Sequence, residues 1–209
     1  MPTDKLKIKV NPFFLVPFVL FCCLEGVENT LIIYASALIH ETGHLVCGRF
    51  LKGKAEKLYI LPFGMRIDMN FSKMSYKGEF LTVFAGPVAN ILVWVVCFVI
   101  NCFFTVPYIS FVMASNFLLA AVNLLPAMPL DGGQMLRAFL MFKLYEERAT
   151  FWSDVITLIT LLFIFAFGVF ILIRSKNNFS LIFLSVFFLI SLLRDKIFQK
   201  DNNELQNAK

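Results

Sequence analysis

The sequence predicts an all-α membrane protein, a six-transmembrane-helix bundle with a small β-hairpin inserted after its second apolar segment. Of 209 residues, 59% are hydrophobic, and the mean hydropathy of +0.77 exceeds what a soluble domain with a polar surface carries. The apolar residues, 26 Phe among them, fall in long blocks separated by short charged stretches, as membrane helices do. Basic residues gather at the edges of those blocks. The net charge of +5 therefore speaks for membrane orientation and against a nucleic-acid partner.

Six apolar segments follow in order: 12–24, 29–50, 80–104, 109–125, 152–173 and 179–193. The first is short, contains Pro17, and follows Lys5, Lys7 and Lys9 as a signal peptide would, but it runs into Glu25 and Glu28 without a small-x-small cleavage site. It is expected to remain as a membrane segment. At about 1.5 Å per residue the second is long enough for a hydrocarbon layer of about 30 Å. Between 51 and 77 the chain turns mixed and charged; stretches 55–63 and 65–71 flank Pro62-Phe63-Gly64 and predict the hairpin.

The third segment carries Ala85, Gly86, Pro87 and Asn90. Small residues let helices approach, and an Asn in hydrocarbon needs a polar partner, so this segment packs on protein. After the fourth segment, Asn123 to Gly133 holds Pro126, Pro129, Gly132 and Gly133, a helix break after which helix restarts over 134–143. The fifth and sixth segments are expected to bury no His or acidic residue in their interiors and read as scaffold or lipid-facing structure. Residues 1–200 form one expected domain, with 201–209 a polar tail.

With six crossings, one side collects Lys5, Lys7, Lys9, Arg49, Lys52, Lys54, Lys57, Arg137, Lys143, Arg148, Arg194, Lys196 and Lys200, while Arg174 and Lys176 face the other. The positive-inside tendency makes the first side cytoplasmic, with both termini there. Cys22, Cys23, Cys47, Cys97 and Cys102 form no Cys-x-x-Cys pair and read as packing residues.

The only two histidines, His40 and His44, bracket Glu41 in His-Glu-Thr-Gly-His. Four residues apart on a helix, both imidazoles point the same way and can hold one zinc ion, with the Glu41 carboxylate beside the site. Ionisable residues in an apolar helix are costly and mark a site. The spacing suits peptide hydrolysis: zinc acidifies water and polarises a carbonyl, and Glu41 takes the water proton as general base. A catalytic zinc wants a third protein ligand, and Asp131, between the proline break and Gly132-Gly133, is the best candidate; its alternative is a helix cap. The expected cofactor is one Zn2+ per chain. Asn90 and Asn123 are candidate substrate-binding amides that could hold an unwound peptide. An exposed strand edge near Gly64 could add an extended substrate strand.

Three stretches together, His40-Glu41-Thr42-Gly43-His44, Phe84-Ala85-Gly86-Pro87-Val88-Ala89-Asn90 and Asn123 to Gly133, make the chain resemble the site-2 protease family of intramembrane zinc metalloproteases (M50 type). Residues 8–12 and Leu61-Pro62-Phe63-Gly64 are similar to its sporulation branch. The resemblance implies a multi-pass enzyme of a bacterial cell membrane, with the His pair and the late Asp on zinc. It also implies a membrane-associated substrate of the pro-sigma-K type, the membrane around the forespore as location, and inhibitory membrane partner proteins. That branch can carry a nucleotide-sensing CBS domain, for which the sixteen residues after Leu193 leave no room. A zinc transporter and a catalytically silent zinc-containing membrane adaptor are the competing readings; Glu41 and the absence of a repeated second ion site count against them.

Overall fold

The computed structural model describes residues 7–10, 15–51, 53–61, 64–70 and 74–175, together with 186 and 189. The expected sixth segment at 179–193 falls almost wholly outside the described residues, as does the tail at 201–209. The described chain divides into two compact units, Met1–Leu124 and Leu125–Lys209.

The first unit runs β1 (Lys7–Val10), α1 (Leu15–Glu25), α2 (Val27–Phe50), β2 (Lys54–Leu61), β3 (Gly64–Asn70), α3 (Tyr76–Phe103) and α4 (Ile109–Asn123). Gly26, at φ 85°, separates α1 from α2, a left-handed backbone that a side chain disfavours. Helix α3 begins at a Ser75 cap, whose hydroxyl accepts the Gly78 N–H at 3.2 Å. This places Pro87 in the helix interior rather than near its start. The second unit contains α5 (Asp131–Leu140) and α6 (Glu146–Ser175).

The six-span all-α expectation is corrected on two counts. Among the described residues only α2, α3 and α6 are long and apolar enough to cross a membrane. Helix α1 has 11 residues and α4 has 15, so at about 1.5 Å per residue neither reaches about 30 Å. Apolar composition was sufficient in both; length was not. In place of an isolated hairpin, β1, β2 and β3 form a three-stranded mixed sheet in that order. Strand β2 pairs antiparallel with β3 from Lys54↔Asn70 to Leu61↔Gly64, with an irregularity between Ala55 and Lys57. Strand β1 joins in parallel, Lys7↔Lys57 through Val10↔Ile60.

Burial is inverted relative to a water-soluble fold. Among the described residues the largest fully buried side chains are Asn90, Asn116, Thr30, Thr82, Thr157, Pro87 and Ser153, whereas Leu24, Phe50, Phe103 and Phe163 are exposed. Lipid is as apolar as Leu, so large hydrophobes gain nothing by turning inward. Small and polar groups do gain, because their hydrogen bonds are met only inside. The chain is an integral, multi-pass membrane protein.

Helices α2 and α3 approach closely where side chains are smallest. A Cβ added at Gly43 would stand 2.5 Å from the Ala85 carbonyl oxygen and 3.0 Å from the Ala89 Cβ. Gly43→Val should therefore force the helices apart and destabilise the first unit by ~1–3 kcal/mol. Thermal unfolding in detergent checks this: a lower midpoint is expected, and an unchanged one contradicts the close crossing.

Candidate metal centre

Ser36, His40, His44 and Gly48 recur every fourth residue and form the buried stripe of α2, with Thr30 buried ahead of them. That stripe faces protein because the remainder of the helix is apolar enough for lipid. His40 is 4% exposed and His44 9%. Their rings stand edge to face, 4.8 Å between centroids and 84° between planes.

Each ring is held through Nδ1 by helix α3. The His44 Nδ1–H donates to the Thr82 carbonyl at 2.9 Å, and His40 Nδ1 is 2.6 Å from Asn90 Oδ1. A carbonyl oxygen only accepts, so Nδ1 of His44 carries the proton, and in the neutral ring Nε2 carries the lone pair. Between these two anchors on α3 lies Gly86. A Cβ there would collide with Nε2 and Cε1 of His44 and come within 2.9 Å of His40 Nε2. Both Nε2 atoms thus border a space that exists because residue 86 has no side chain.

In the second unit, Asp131 opens α5, behind the cap residue Leu130, and is 9% exposed. The cap position of α5 is Leu130, one residue before Asp131. The loop before it is pinned to α6. The Met128 N–H donates to Thr157 Oγ1 at 3.1 Å, Thr157 being fully buried, and Ala127 packs on Leu161 with Leu130 beside them. Gly133 lets the loop fold back, since a Cβ there would stand 2.5 Å from the Met128 nitrogen. Helix α6 is thus more than the plain scaffold its composition suggested. Its buried Ser153 and Thr157, four apart, were the available signal.

His40 and His44 in the first unit and Asp131 in the second are the side chains that could hold a metal ion. Two imidazole nitrogens and one carboxylate oxygen are the donor set of a catalytic zinc site, three protein ligands with a position left for water or substrate. The donor chemistry and the space kept by Gly86 both fit one Zn2+. Glu41, next to His40 on α2, is half-buried. The other expected site residues lie as follows. Asn90 is fully buried and bonded to His40. Asn123 is the last residue of α4 and donates to the Leu119 carbonyl at 3.0 Å. Gly64 begins β3, opposite Leu61.

Comparison with known proteins agrees with this chemistry. The model of peptidase family M50 matches residues 29–107 and 104–167. The chain is 29% identical over 157 residues to zinc metalloprotease MJ0392 of Methanocaldococcus jannaschii, covering 69% of this chain and 46% of that protein. It is 30% identical over 141 residues to stage IV sporulation protein FB of Bacillus subtilis, covering 66% and 48%. It thus spans about half the length of these curated relatives. The solved structure of a site-2 protease from Methanocaldococcus jannaschii superposes with a TM-score of 0.61 at 26% identity, over 87% of this chain and 86% of that one.

Gly86→Ala is expected to abolish zinc retention through desalting while leaving the helical content intact. Metal analysis and circular dichroism check it; full zinc occupancy in the variant would contradict the assignment of that space to the metal.

Proposed function

The chain belongs to peptidase family M50, and from that premise we propose that it is an intramembrane zinc metalloendopeptidase acting on a membrane-associated protein. The observation that carries this is the pair of imidazoles fixed through Nδ1 with both Nε2 atoms close beside Gly86. When bound, zinc supplies Lewis acidity that lowers the pKa of water and polarises the scissile carbonyl. His40, His44 and Asp131 would hold it. Glu41 accepts the proton of the attacking water on a carboxylate oxygen as the new C–O bond forms. It returns that proton to the amine nitrogen as the C–N bond breaks.

Substrate contacts complete the proposal. Asn123 would hold a carbonyl of the unwound substrate, and Gly64 would present the edge of β3 to an extended strand; β3 is an outer strand of the sheet, which supports such addition. Asn90 serves the substrate through the ligand it holds. The family match runs across both compact units, which supports treating 1–200 as one catalytic domain with 201–209 as its tail. Similarity to a stage IV sporulation protein supports a pro-sigma-K-type substrate, the mother-cell membrane around the forespore, and inhibitory membrane partners. Lys5, Lys7 and Lys9 near one end, and Arg194, Lys196 and Lys200 near the other, support cytoplasmic termini.

The test compares the unchanged protein with Glu41→Gln and Asp131→Ala on a purified membrane-anchored pro-sigma-K-type substrate, reading zinc content and the new peptide terminus. Glu41→Gln should keep its zinc and lose cleavage by about 10²–10⁴-fold. Asp131→Ala should lose both. Cleavage retained in Glu41→Gln would rule out the general base, and zinc retained in Asp131→Ala would rule out the third ligand.

A further inference from the structure

Behind His40 lies a chain of polar groups that the peptidase mechanism does not use. Asn90 Nδ2 donates to the Ser36 carbonyl at 3.0 Å and to Asn116 Oδ1 at 2.7 Å. Asn116 Nδ2 in turn donates to the Val112 carbonyl and to Ser36 Oγ, both at 2.9 Å. The Ser36 hydroxyl passes its own proton to the Ile32 carbonyl at 2.8 Å. Asn90, Asn116 and Ser36 are 0%, 1% and 2% exposed, so water has no access to complete these bonds differently.

The direction of every bond in this chain is fixed by backbone. A carbonyl oxygen accepts and never donates. The Val112 carbonyl therefore requires the amide nitrogen of Asn116 on its side, which turns Asn116 Oδ1 towards Asn90. The Ser36 carbonyl and Asn116 Oδ1 together require the Asn90 nitrogen, which turns Asn90 Oδ1 towards His40. Only Nδ1–H can complete that last contact, and the proton is thereby placed on Nδ1, with the Nε2 lone pair left for the metal.

We infer that Asn116, on a different helix and two hydrogen bonds from the imidazole, is a positioning residue that sets the tautomer and ring orientation of His40. It works with Ser36 and acts through Asn90. The inference rests on the metal-centre reading of His40, but its spectroscopic readout does not depend on proteolysis or on bound zinc. His44 is a built-in control. Its Nδ1 proton goes directly to the Thr82 carbonyl, independently of Asn116.

Because the chain has only two histidines, selective ¹⁵N-histidine labelling of the full-length protein in detergent, stripped of metal by chelator, reports two imidazoles alone. In the unchanged protein both rings should show a protonated Nδ1 and an unprotonated Nε2. In Asn116→Leu, His40 should lose that single-tautomer signature while His44 keeps it. The zinc dissociation constant, measured by chelator competition, should rise about 10- to 100-fold, the usual effect of removing a group behind a ligand. Asn116→Asp, which when protonated presents an acceptor to Asn90 and a donor to Val112, should restore both readouts. Ser36→Ala removes one acceptor of Asn116 but leaves the Val112 and Ser36 carbonyls in place, so it should shift both readouts in the same direction by less; it carries the test if Asn116→Leu does not fold. Unchanged His40 tautomer and zinc affinity in the folded variant would overturn the assignment, and so would an equal change at His44. Loss of cleavage with both readouts intact would instead count against the peptidase mechanism.

Discussion

An imidazole becomes a defined metal ligand only when its second nitrogen is committed elsewhere, and in this protein helix α3 makes that commitment for both histidines. Thr82, Gly86 and Asn90 follow one another at intervals of four along α3, matching the four-residue spacing of Ser36, His40 and His44 on α2. The two outer positions supply acceptors for Nδ1; the middle one supplies absence, since any side chain would fill the space that both Nε2 atoms border. The close crossing at Gly43 brings the two stripes into reach. Each feature alone has a packing explanation, but their common register has a chemical one.

The solvent determines why such a site lies where it does. In lipid, apolar side chains gain little by turning inward, so the interior is left to groups whose hydrogen bonds lipid cannot satisfy. Among the described residues, ten polar or charged ones are buried, against seven hydrophobic ones, and that interior polarity suits a metal centre within a membrane. The polar chain from Ile32 to His40 through Asn116 is fully satisfied internally, which makes it rigid rather than costly. The second unit uses the same means at smaller scale: Thr157, buried on helix α6, fixes the backbone that leads into Asp131.

The site was more legible in the sequence than the fold. His40 and His44 announce themselves because helix periodicity turns spacing directly into geometry, and Asp131 stands out as a carboxylate at a proline-glycine break. Helix α3 was read as starting at residue 80 because Lys77 and Glu79 make its first turn polar, whereas the Ser75 cap starts it at Tyr76. Strand β1 was invisible because its partner lies some fifty residues away, and parallel pairing leaves no local turn signature. Segments 12–24 and 109–125 were counted as crossings from composition, which carries no information about where Gly26 or the turn after Asn123 ends a helix. Asn116 and Ser36 could not be singled out at all. Their importance lies in contacts 26 and 80 residues apart in the chain, and no local pattern encodes those.

The most direct test of the central claim is X-ray absorption at the zinc edge of the metal-loaded protein. The site described above predicts a first shell of nitrogen and oxygen only, at about 2.0–2.2 Å, with outer-shell scattering from two imidazoles. A scatterer at about 2.3 Å, the distance of a thiolate sulfur, or scattering from fewer than two imidazoles would contradict it.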